Sequence, residues 1–320
     1  MSVRPPLDPE LAAVMAVASA SFPPVRPDGI LEWRQVVSGG GTDDTELAAL
    51  GITRTDVAVA GYDGADLVAS VLARADRVGI GPGVLHLHGG GMIMGDRLTA
   101  AEHFLPWILD NDAVVVSLDY RLAPEFPDPY PVEDCYAGLL WTAENAASLG
   151  IDPERLLLSG ASSGGGLAAG TALLARDRGG PSLLGQVLLY PMLDDRDRTV
   201  STLQHDGHGV WNRESNRTGW SALLGDRRGT DDVSIYAAPA RATDLSGLPP
   251  AFVDCGSAEV FRDEAVAYAS ALWRSGVQAE LHVWPGGFHG CDVLAPHTAL
   301  AHAMASARNA WVRRALSPPS

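Results

Sequence analysis

Eight short apolar runs within residues 56–285 constrain the fold of this 320-residue chain more than any other feature. Helical patterns lie between most of the later runs, at residues 98–110, 131–148, 163–177 and 262–276, and a further one follows the last run at 297–315. Continuous apolar runs that alternate with helices are typical of a mostly parallel sheet covered by helices on both faces. No helix separates the first two runs, which predicts an antiparallel hairpin at one edge of an α/β fold.

Residues 194–235 interrupt this alternation. They are polar, include Trp211 and Trp220, and show no strand pattern. Because ligands of open α/β folds bind outside the carboxyl ends of the strands, such a segment is suited to cover that edge. We therefore predict four segments along the chain: an N-terminal part of a cap (1–45), a first part of the core (46–193), a cap insertion (194–235) and a second part of the core (236–320).

The motif GASSG at residues 160–164 follows a predicted strand and opens a predicted helix. A nucleophile elbow has this context, because small flanking residues let the chain turn sharply and thrust the central Ser162 into a cleft. The N-terminus of the next helix then favours a developing negative charge. A chain with 35 Gly can contain this motif by chance, and a phosphate-holding turn is similar, so the interpretation depends on other motifs.

Two further motifs are suited to an activated serine. In HGGG (88–91), consecutive Gly after a strand let backbone N–H groups approach a ligand closely, as an oxyanion hole requires. His289, in GGFHGCD, follows the last predicted strand, where a general base would face the elbow. His86 and His88 alternate along a strand without an acidic or Cys partner nearby, so we interpret His88 as ordering the loop rather than binding a metal.

An imidazole base also needs a carboxylate that holds its tautomer and stabilises its charged form. The segment DCGSAEVFRDEA offers Asp254, Glu259 and Asp263. Asp254 ends a strand, Asp263 stands where a helix begins and can cap it, and Glu259 lies in the loop between them. Position alone leaves the choice open, but any of the three gives the order Ser, acid, His that α/β hydrolases have.

Taken together, the motifs resemble those of the bacterial hormone-sensitive lipase-like esterases, called family IV. The resemblance covers nearly the whole chain, in the order HGGG (88–91), DYRLAPEFPDPYPVED (119–134), the elbow, LLYPMLD (188–194) and GFHG (287–290). It implies an α/β-hydrolase fold with an eight-stranded, mostly parallel sheet and a helical cap. It also implies hydrolysis of carboxylic esters with no cofactor and no metal.

Carried over residue by residue, the resemblance makes Ser162 the nucleophile and His289 the base. Glu259 falls at the acid position of the family's G-x-x-D-x-L-x-D-E motif, with Glu in place of Asp. The implied oxyanion hole consists of the backbone N–H groups of Gly89, Gly90 and Ser163. We therefore expect a Ser-His-Glu triad that forms a covalent acyl-enzyme.

Three positions depart from the family pattern. Ala161 and Ser163 flank the nucleophile, where the family usually has Asp or Thr before it and Ala after it; a backbone donor tolerates the second change. Glu259 adds one methylene to the acid. Met92 stands where the family often has an aromatic residue. The predicted pocket residues, each with packing in the cap or core as the alternative, are Met92, Tyr190, Trp211 and Trp220.

The charge composition indicates which kinds of partner the protein can bind. The 23 basic and 39 acidic residues give a net charge of −16, which disfavours nucleic acid and anionic membranes and favours small neutral or cationic molecules. Every basic residue is Arg, which excludes a P-loop Lys, a pyridoxal Schiff base and a Ser-Lys dyad. We expect a small or short-acyl ester as substrate. Family resemblance adds a homodimer, and the alternative function is a non-catalytic small-molecule receptor, as the plant gibberellin receptors resemble this family.

The N-terminal segment and the cysteines indicate in which cellular compartment the protein is expected. Residues 11–20 resemble the apolar part of a signal peptide, but Asp8 and Glu10 stand where such a peptide has positive charge. Asp8, Pro9 and Glu10 instead predict the cap and first turn of a surface helix. Three Cys without a C-x-x-C pair fit a reducing compartment, so a cytoplasmic protein is expected.

Overall fold

The structure, a computed structural model, describes residues 3–21, 23–37 and 41–317. Residues 1, 2, 22 and 38–40 of the predicted cap therefore lie outside the described residues. The strands are β1 (Ile52–Ala60), β2 (Asp66–Arg74), β3 (Gly81–Leu87), β4 (Val114–Asp119), β5 (Ile151–Ala161), β6 (Gly185–Leu189), β7 (Ala251–Gly256) and β8 (Ala279–Trp284). The helices are α1 (Pro9–Ser21), α2 (Ile30–Val37), α3 (Asp44–Ala49), α4 (Leu105–Asn111), α5 (Tyr130–Glu144), α6 (Ala146–Leu149), α7 (Ser163–Arg178), α8 (Val200–Gln204), α9 (Arg213–Leu224), α10 (Arg262–Arg274), α11 (Cys291–Leu294) and α12 (Ala299–Leu316).

One eight-stranded sheet organises the fold, in the order β1-β2-β4-β3-β5-β6-β7-β8. β1 pairs antiparallel with β2, and β2 pairs antiparallel with β4. All other neighbouring strands are parallel. The predicted α/β class, the mostly parallel sheet and the antiparallel edge hairpin are confirmed.

Burial explains why the central strands are apolar throughout. Every residue of β3 and β6 is buried, because helices lie over the sheet as two pairs, α4 with α12 and α5 with α7. The parallel strands then end at one edge of the sheet. The elbow, the glycine-rich motif and the His289 segment follow β5, β3 and β8, so all three lie at that edge.

Two helices differ from the sequence-based prediction. The helix expected over 98–110 begins only at Leu105, because Pro106 in its first turn favours a start there over a continuation. The helix expected over 131–148 is broken between α5 and α6. The Asn145 side chain donates to the Trp141 carbonyl at 2.8 Å, and such local bonds compete with helix continuation.

The N-terminal segment and the 194–235 insertion lie together. Helix α1 begins as predicted: the Asp8 carboxylate accepts from the Glu10 N–H at 2.8 Å. Further along, the Val25 N–H donates to Ser215 Oγ of α9 at 3.0 Å. These contacts agree with a two-part cap, although the four segment boundaries stay predictions. Among the described residues, no helix is long and apolar enough to cross a membrane.

Candidate active site

The turn between β5 and α7 holds Ser162 in a conformation that few residues adopt. Its φ and ψ are 57° and −120°, and such backbone strain persists at functional sites where the surroundings enforce it. A Cβ on Gly160 would lie 2.1 Å from the Gly164 carbonyl oxygen, and a Cβ on Gly164 would lie 2.0 Å from the Leu87 oxygen. Glycine is therefore required on both sides of this serine for steric reasons, as a nucleophile elbow requires.

The structure brings Ser162, His289 and Glu259 into one chain of hydrogen bonds. His289 Nε2 lies 3.0 Å from Ser162 Oγ, and His289 Nδ1 lies 2.6 Å from Glu259 Oε2. The Glu259 oxygen is an acceptor, so Nδ1 carries the proton and Nε2 is free to accept from the serine hydroxyl. This is the geometry of a nucleophile, a base and an orienting acid.

The three candidate carboxylates differ in their contacts: Asp254 lies in β7, Glu259 in the loop after it and Asp263 in the first turn of α10. The second oxygen of Glu259 accepts from the Gly256 N–H at 2.8 Å, which fixes the carboxylate facing His289. Asp254 is turned the other way and accepts from Trp284 Nε1 at 3.1 Å. Asp263 accepts from the Ser201 N–H of α8 at 2.8 Å, so it caps a helix of the insertion rather than its own. Of these three carboxylates, only Glu259 contacts the His289 imidazole.

The glycine loop, residues 88–95, lies beside the serine. A Cβ on Gly89 would come within 3.4 Å of Ser162 Cβ, so the backbone there passes close to the nucleophile. Within the part of the chain that the structure describes, the turn and loop hydrogen bonds use neither the Gly89 nor the Gly90 N–H. Ser163 is the first residue of α7, where N–H groups lack partners within the helix. These three N–H groups suit an oxyanion hole, and the role stays a prediction.

His88 orders this loop, as its sequence context suggested. Burial lowers the pKa of His88, so the ring is neutral and its Nδ1–H donates to the Gly89 carbonyl at 2.8 Å. The ring stacks on Tyr120 with centroids 4.2 Å apart, and the Tyr120 hydroxyl donates to the His88 carbonyl at 2.7 Å. Together these contacts hold the loop in place without a metal ligand.

A mainly apolar cavity of about 230 Å³ opens in front of Ser162. Tyr190 and Trp211, two of the predicted pocket residues, line it, together with Trp33 from the N-terminal segment and His289. Both parts of the predicted cap therefore contribute to its wall. An apolar cavity with a few polar groups at one end is typical of a small-molecule site.

Met92 and Trp220, the other two predicted pocket residues, do not line this cavity, and we correct that prediction. Both are fully buried. A Cβ on Gly166 of α7 would lie 3.8 Å from Met92 Cε, so Met92 packs against that helix. Trp220 lies on the buried side of α9. An apolar residue at such a position fills the core as well as it fills a pocket, so the sequence could not separate the two.

Sequence reasoning missed a buried polar cluster next to His289. His103, Asp292 and Arg308 are each at most 7% exposed, and they connect to the hydroxyl of Tyr190. Arg308 lies within helix α12, which packs against α11, and its guanidinium donates to Asp292 of α11. The only signal available was Asp292, three residues after His289.

Across residues 3–21, 23–37 and 41–317, no three His, Cys, Asp or Glu side chains are grouped so that they could hold a metal ion. Asp292 pairs both with His103 and with Arg308, and the positive charge of Arg308 disfavours a metal cation there.

Comparison with known proteins shows the family to which the chain belongs. Residues 84–293 match a family described by the α/β hydrolase fold, and the chain belongs to that family. It is 38% identical to a carboxylesterase of Mycobacterium tuberculosis over 65% of this chain and 66% of that protein. An esterase of the same species is 35% identical over 63% of this chain and 62% of its own length. The matched stretch thus spans just under two thirds of these relatives.

Solved structures match over nearly the full length. A bacterial heroin esterase superposes with a TM-score of 0.85 at 37% identity, covering 98% of both chains. An esterase from Pyrobaculum calidifontis gives a TM-score of 0.84 at 31% identity, covering 98% of this chain and 100% of its own. These matches confirm the resemblance to bacterial hormone-sensitive lipase-like esterases.

Proposed function

We propose that this protein is a carboxylic ester hydrolase in which Ser162 is the nucleophile, His289 the general base and Glu259 the orienting acid. One observation carries the proposal: His289 bridges Ser162 Oγ at 3.0 Å and Glu259 Oε2 at 2.6 Å. The names of the related esterases support the same reaction class.

The reaction proceeds by acyl transfer to water. His289 Nε2 takes the proton of Ser162 as its oxygen attacks the ester carbonyl carbon, and Glu259 stabilises the imidazolium that forms. The N–H groups of Gly89, Gly90 and Ser163 stabilise the oxyanion, each such donor contributing about 3 to 4 kcal/mol in comparable sites. His289 then protonates the leaving alcohol, and the acyl-enzyme is hydrolysed by the reverse sequence with water as nucleophile.

The proposed substrates are small or short-acyl esters. The cavity of about 230 Å³ is apolar and confined by the cap, with the Trp33 and Trp211 side chains in its wall. Confinement of this kind favours a compact acyl group over a long chain. Activity should therefore fall as the acyl chain of a p-nitrophenyl ester lengthens. A steady rise towards long chains, with activation at a lipid interface, would contradict this specificity.

The first experiment is release of p-nitrophenol from its acetate and butyrate esters by the purified protein. Ser162→Ala removes the nucleophile and keeps the backbone donors, so it should fold normally and lose activity by several orders of magnitude. A non-catalytic receptor would instead bind esters without turnover in either form. Turnover by Ser162→Ala equal to the parent protein, in preparations free of other esterases, refutes the nucleophile assignment.

A further inference from the structure

A chain of buried polar side chains meets at the hydroxyl of Tyr190. This hydroxyl donates to Asp292 Oδ1 at 3.1 Å and lies 3.0 Å from His103 Nε2. The other oxygen of Asp292 accepts from an Arg308 guanidinium N–H at 3.1 Å. None of the reaction steps above uses His103, Asp292 or Arg308. Burying four polar groups costs desolvation free energy, so we expect the reason that they are buried together to lie in the function of the site.

The aromatic ring of Tyr190 connects this cluster to the base. Its centroid lies 4.9 Å from that of the His289 ring, with an interplanar angle of 72°. The Phe261 ring makes a second edge contact, at 5.1 Å and 78°. Tyr190 has a φ of 36°, an unfavourable value for a residue with a side chain. Its position is therefore enforced by its surroundings.

The charge states of Asp292 and Tyr190 strengthen the hydrogen bond that holds the Tyr190 hydroxyl. Burial by itself would raise the pKa of Asp292, but His103 and Arg308 hold it well below its usual value, so the carboxylate is ionised. Burial raises the pKa of Tyr190 well above its usual value, so the phenol keeps its proton and donates. A hydrogen bond from a neutral donor to a buried carboxylate is roughly twice as strong as one between neutral groups.

We propose that Tyr190 is a positioning residue for His289, and that the Arg308–Asp292 ion pair with His103 fixes Tyr190 for that purpose. The inference rests on the proposed function. Tyr190 has two fixed ends. Its hydroxyl is bound by Asp292 of α11, which Arg308 of α12 holds in turn, and by His103 before α4. Its backbone directly follows β6. With the ring fixed, the imidazole cannot tilt away from Ser162, and Nε2 stays within hydrogen-bond reach of Oγ. A small misplacement of a reacting group is enough to lower a rate by about 100-fold.

Tyr190→Phe keeps the ring and removes only the anchor. We expect kcat for p-nitrophenyl acetate to fall by between about 10-fold and 100-fold, with KM within about twofold, because ground-state binding in the apolar cavity is unchanged. Tyr268→Phe is the matched control. Tyr268 is buried on α10, its hydroxyl has no partner among the described residues, and removing it should leave kcat unchanged.

Two Arg308 variants test the same series of hydrogen bonds at the end that lies farthest from His289. Arg308→Met removes the charge that faces Asp292, whereas Arg308→Lys keeps a cation that can reach it. We expect Arg308→Met to lower kcat as Tyr190→Phe does, and Arg308→Lys to recover at least about a third of the lost activation free energy. A purely structural role would lower the melting temperature in both variants without this split between kcat and KM.

The rate at which an organophosphate labels Ser162 separates the inference from the proposed function. This rate depends on base assistance to the serine and does not require ester turnover. If the parent protein neither hydrolyses esters nor is labelled at Ser162, the proposed function fails. If it does both, and folded Tyr190→Phe matches it in kcat and labelling rate, the positioning role is overturned while the proposed function stands. Slower labelling of Tyr190→Phe with normal Tyr268→Phe supports the positioning role.

Discussion

At the scale of single residues, contacts decide between groups that the sequence leaves equivalent. Three carboxylates lie within ten positions in β7 and the segment after it, and of these only Glu259 directs an oxygen at His289. Its extra methylene relative to Asp is accommodated because the Gly256 N–H holds the second oxygen. Residue type and order along the chain could predict the three candidates. The choice among them followed from family register and could not follow from spacing, because side-chain direction in a loop depends on the folded backbone.

Glu259→Gln tests this residue directly. Gln keeps the shape but removes the charge, and its amide can hold the imidazole in the wrong tautomer. The equivalent Asp→Asn change in serine proteases lowers kcat by about 10⁴, and we expect a somewhat smaller loss here, roughly 10²-fold to 10⁴-fold. Steady-state kinetics with p-nitrophenyl acetate measures the loss.

Asp263→Asn is the control for that variant. It weakens the bond to the Ser201 N–H and should reduce the free energy of unfolding by about 0.5 to 2 kcal/mol while sparing turnover. If folded Asp263→Asn loses turnover and Glu259→Gln keeps it, the acid has been assigned to the wrong residue.

At the scale of elements, strand ends and turns position the site. The apolar runs predicted the strands, and three of those strands lead directly into the elbow, the glycine loop and the base. The sequence could not predict how closely the cap approaches the glycine loop. A Cβ on Gly91 would lie 2.3 Å from Cη2 of Trp211, a residue of the insertion. This contact joins segments more than one hundred positions apart, and no local pattern encodes it.

Gly91→Ala tests the fit between the glycine loop and the cap. The new methyl must displace Trp211, and Gly91 also has a φ of 64°, so the loop should shift and kcat should fall by at least about 10-fold. Gly276→Ala carries a similar backbone penalty at a φ of 76° but has open space around it. It should cost roughly 1 kcal/mol of stability and leave kcat unchanged. Equal kinetics for the two variants would show that the glycine loop tolerates the shift.

At the scale of the whole molecule, the sequence could predict the layered fold, but it could not predict which charged residues are buried. Alternating runs determine which faces of the sheet and helices are covered. Asp254, Asp292 and Arg308 look like ordinary charged residues in the sequence, and only the packing of β7, α11 and α12 buries them together. The same limit misplaced Met92 and Trp220, because apolar character predicts burial without saying whether a cavity or a helix is the neighbour.

Buried Asp254 predicts a dependence of stability on pH. Burial raises the pKa of Asp254 to about 7, and the negative charges of Asp292 and Glu259 act in the same direction. The charge of Arg308 and the hydrogen bond from Trp284 oppose this increase. Because this folded value exceeds the unfolded value near 4, the native state binds the extra proton between about pH 4 and pH 7. The stability that this group contributes is complete below pH 4 and is lost as pH rises through 7.

Asp254→Asn cannot ionise and isolates this effect. Its free energy of unfolding relative to the parent protein should increase between pH 5 and pH 7, by up to about 1.4 kcal/mol per pH unit. Urea unfolding of both proteins at each pH measures the difference, and a difference that stays constant contradicts the assignment. Turnover should persist in this variant, because Asp254 contacts Trp284 rather than His289.

The central claim is that Ser162 is the nucleophile activated by His289. Its most direct test is to inactivate the protein with diethyl p-nitrophenyl phosphate and locate the adduct by peptide mass spectrometry. We predict one phosphoryl group per chain on the peptide that contains residues 160–164, fragmentation that places it on Ser162 rather than Ser163, and activity lost in proportion to labelling. Labelling of another residue in step with inactivation, or full activity in a protein labelled completely at Ser162, would contradict the account.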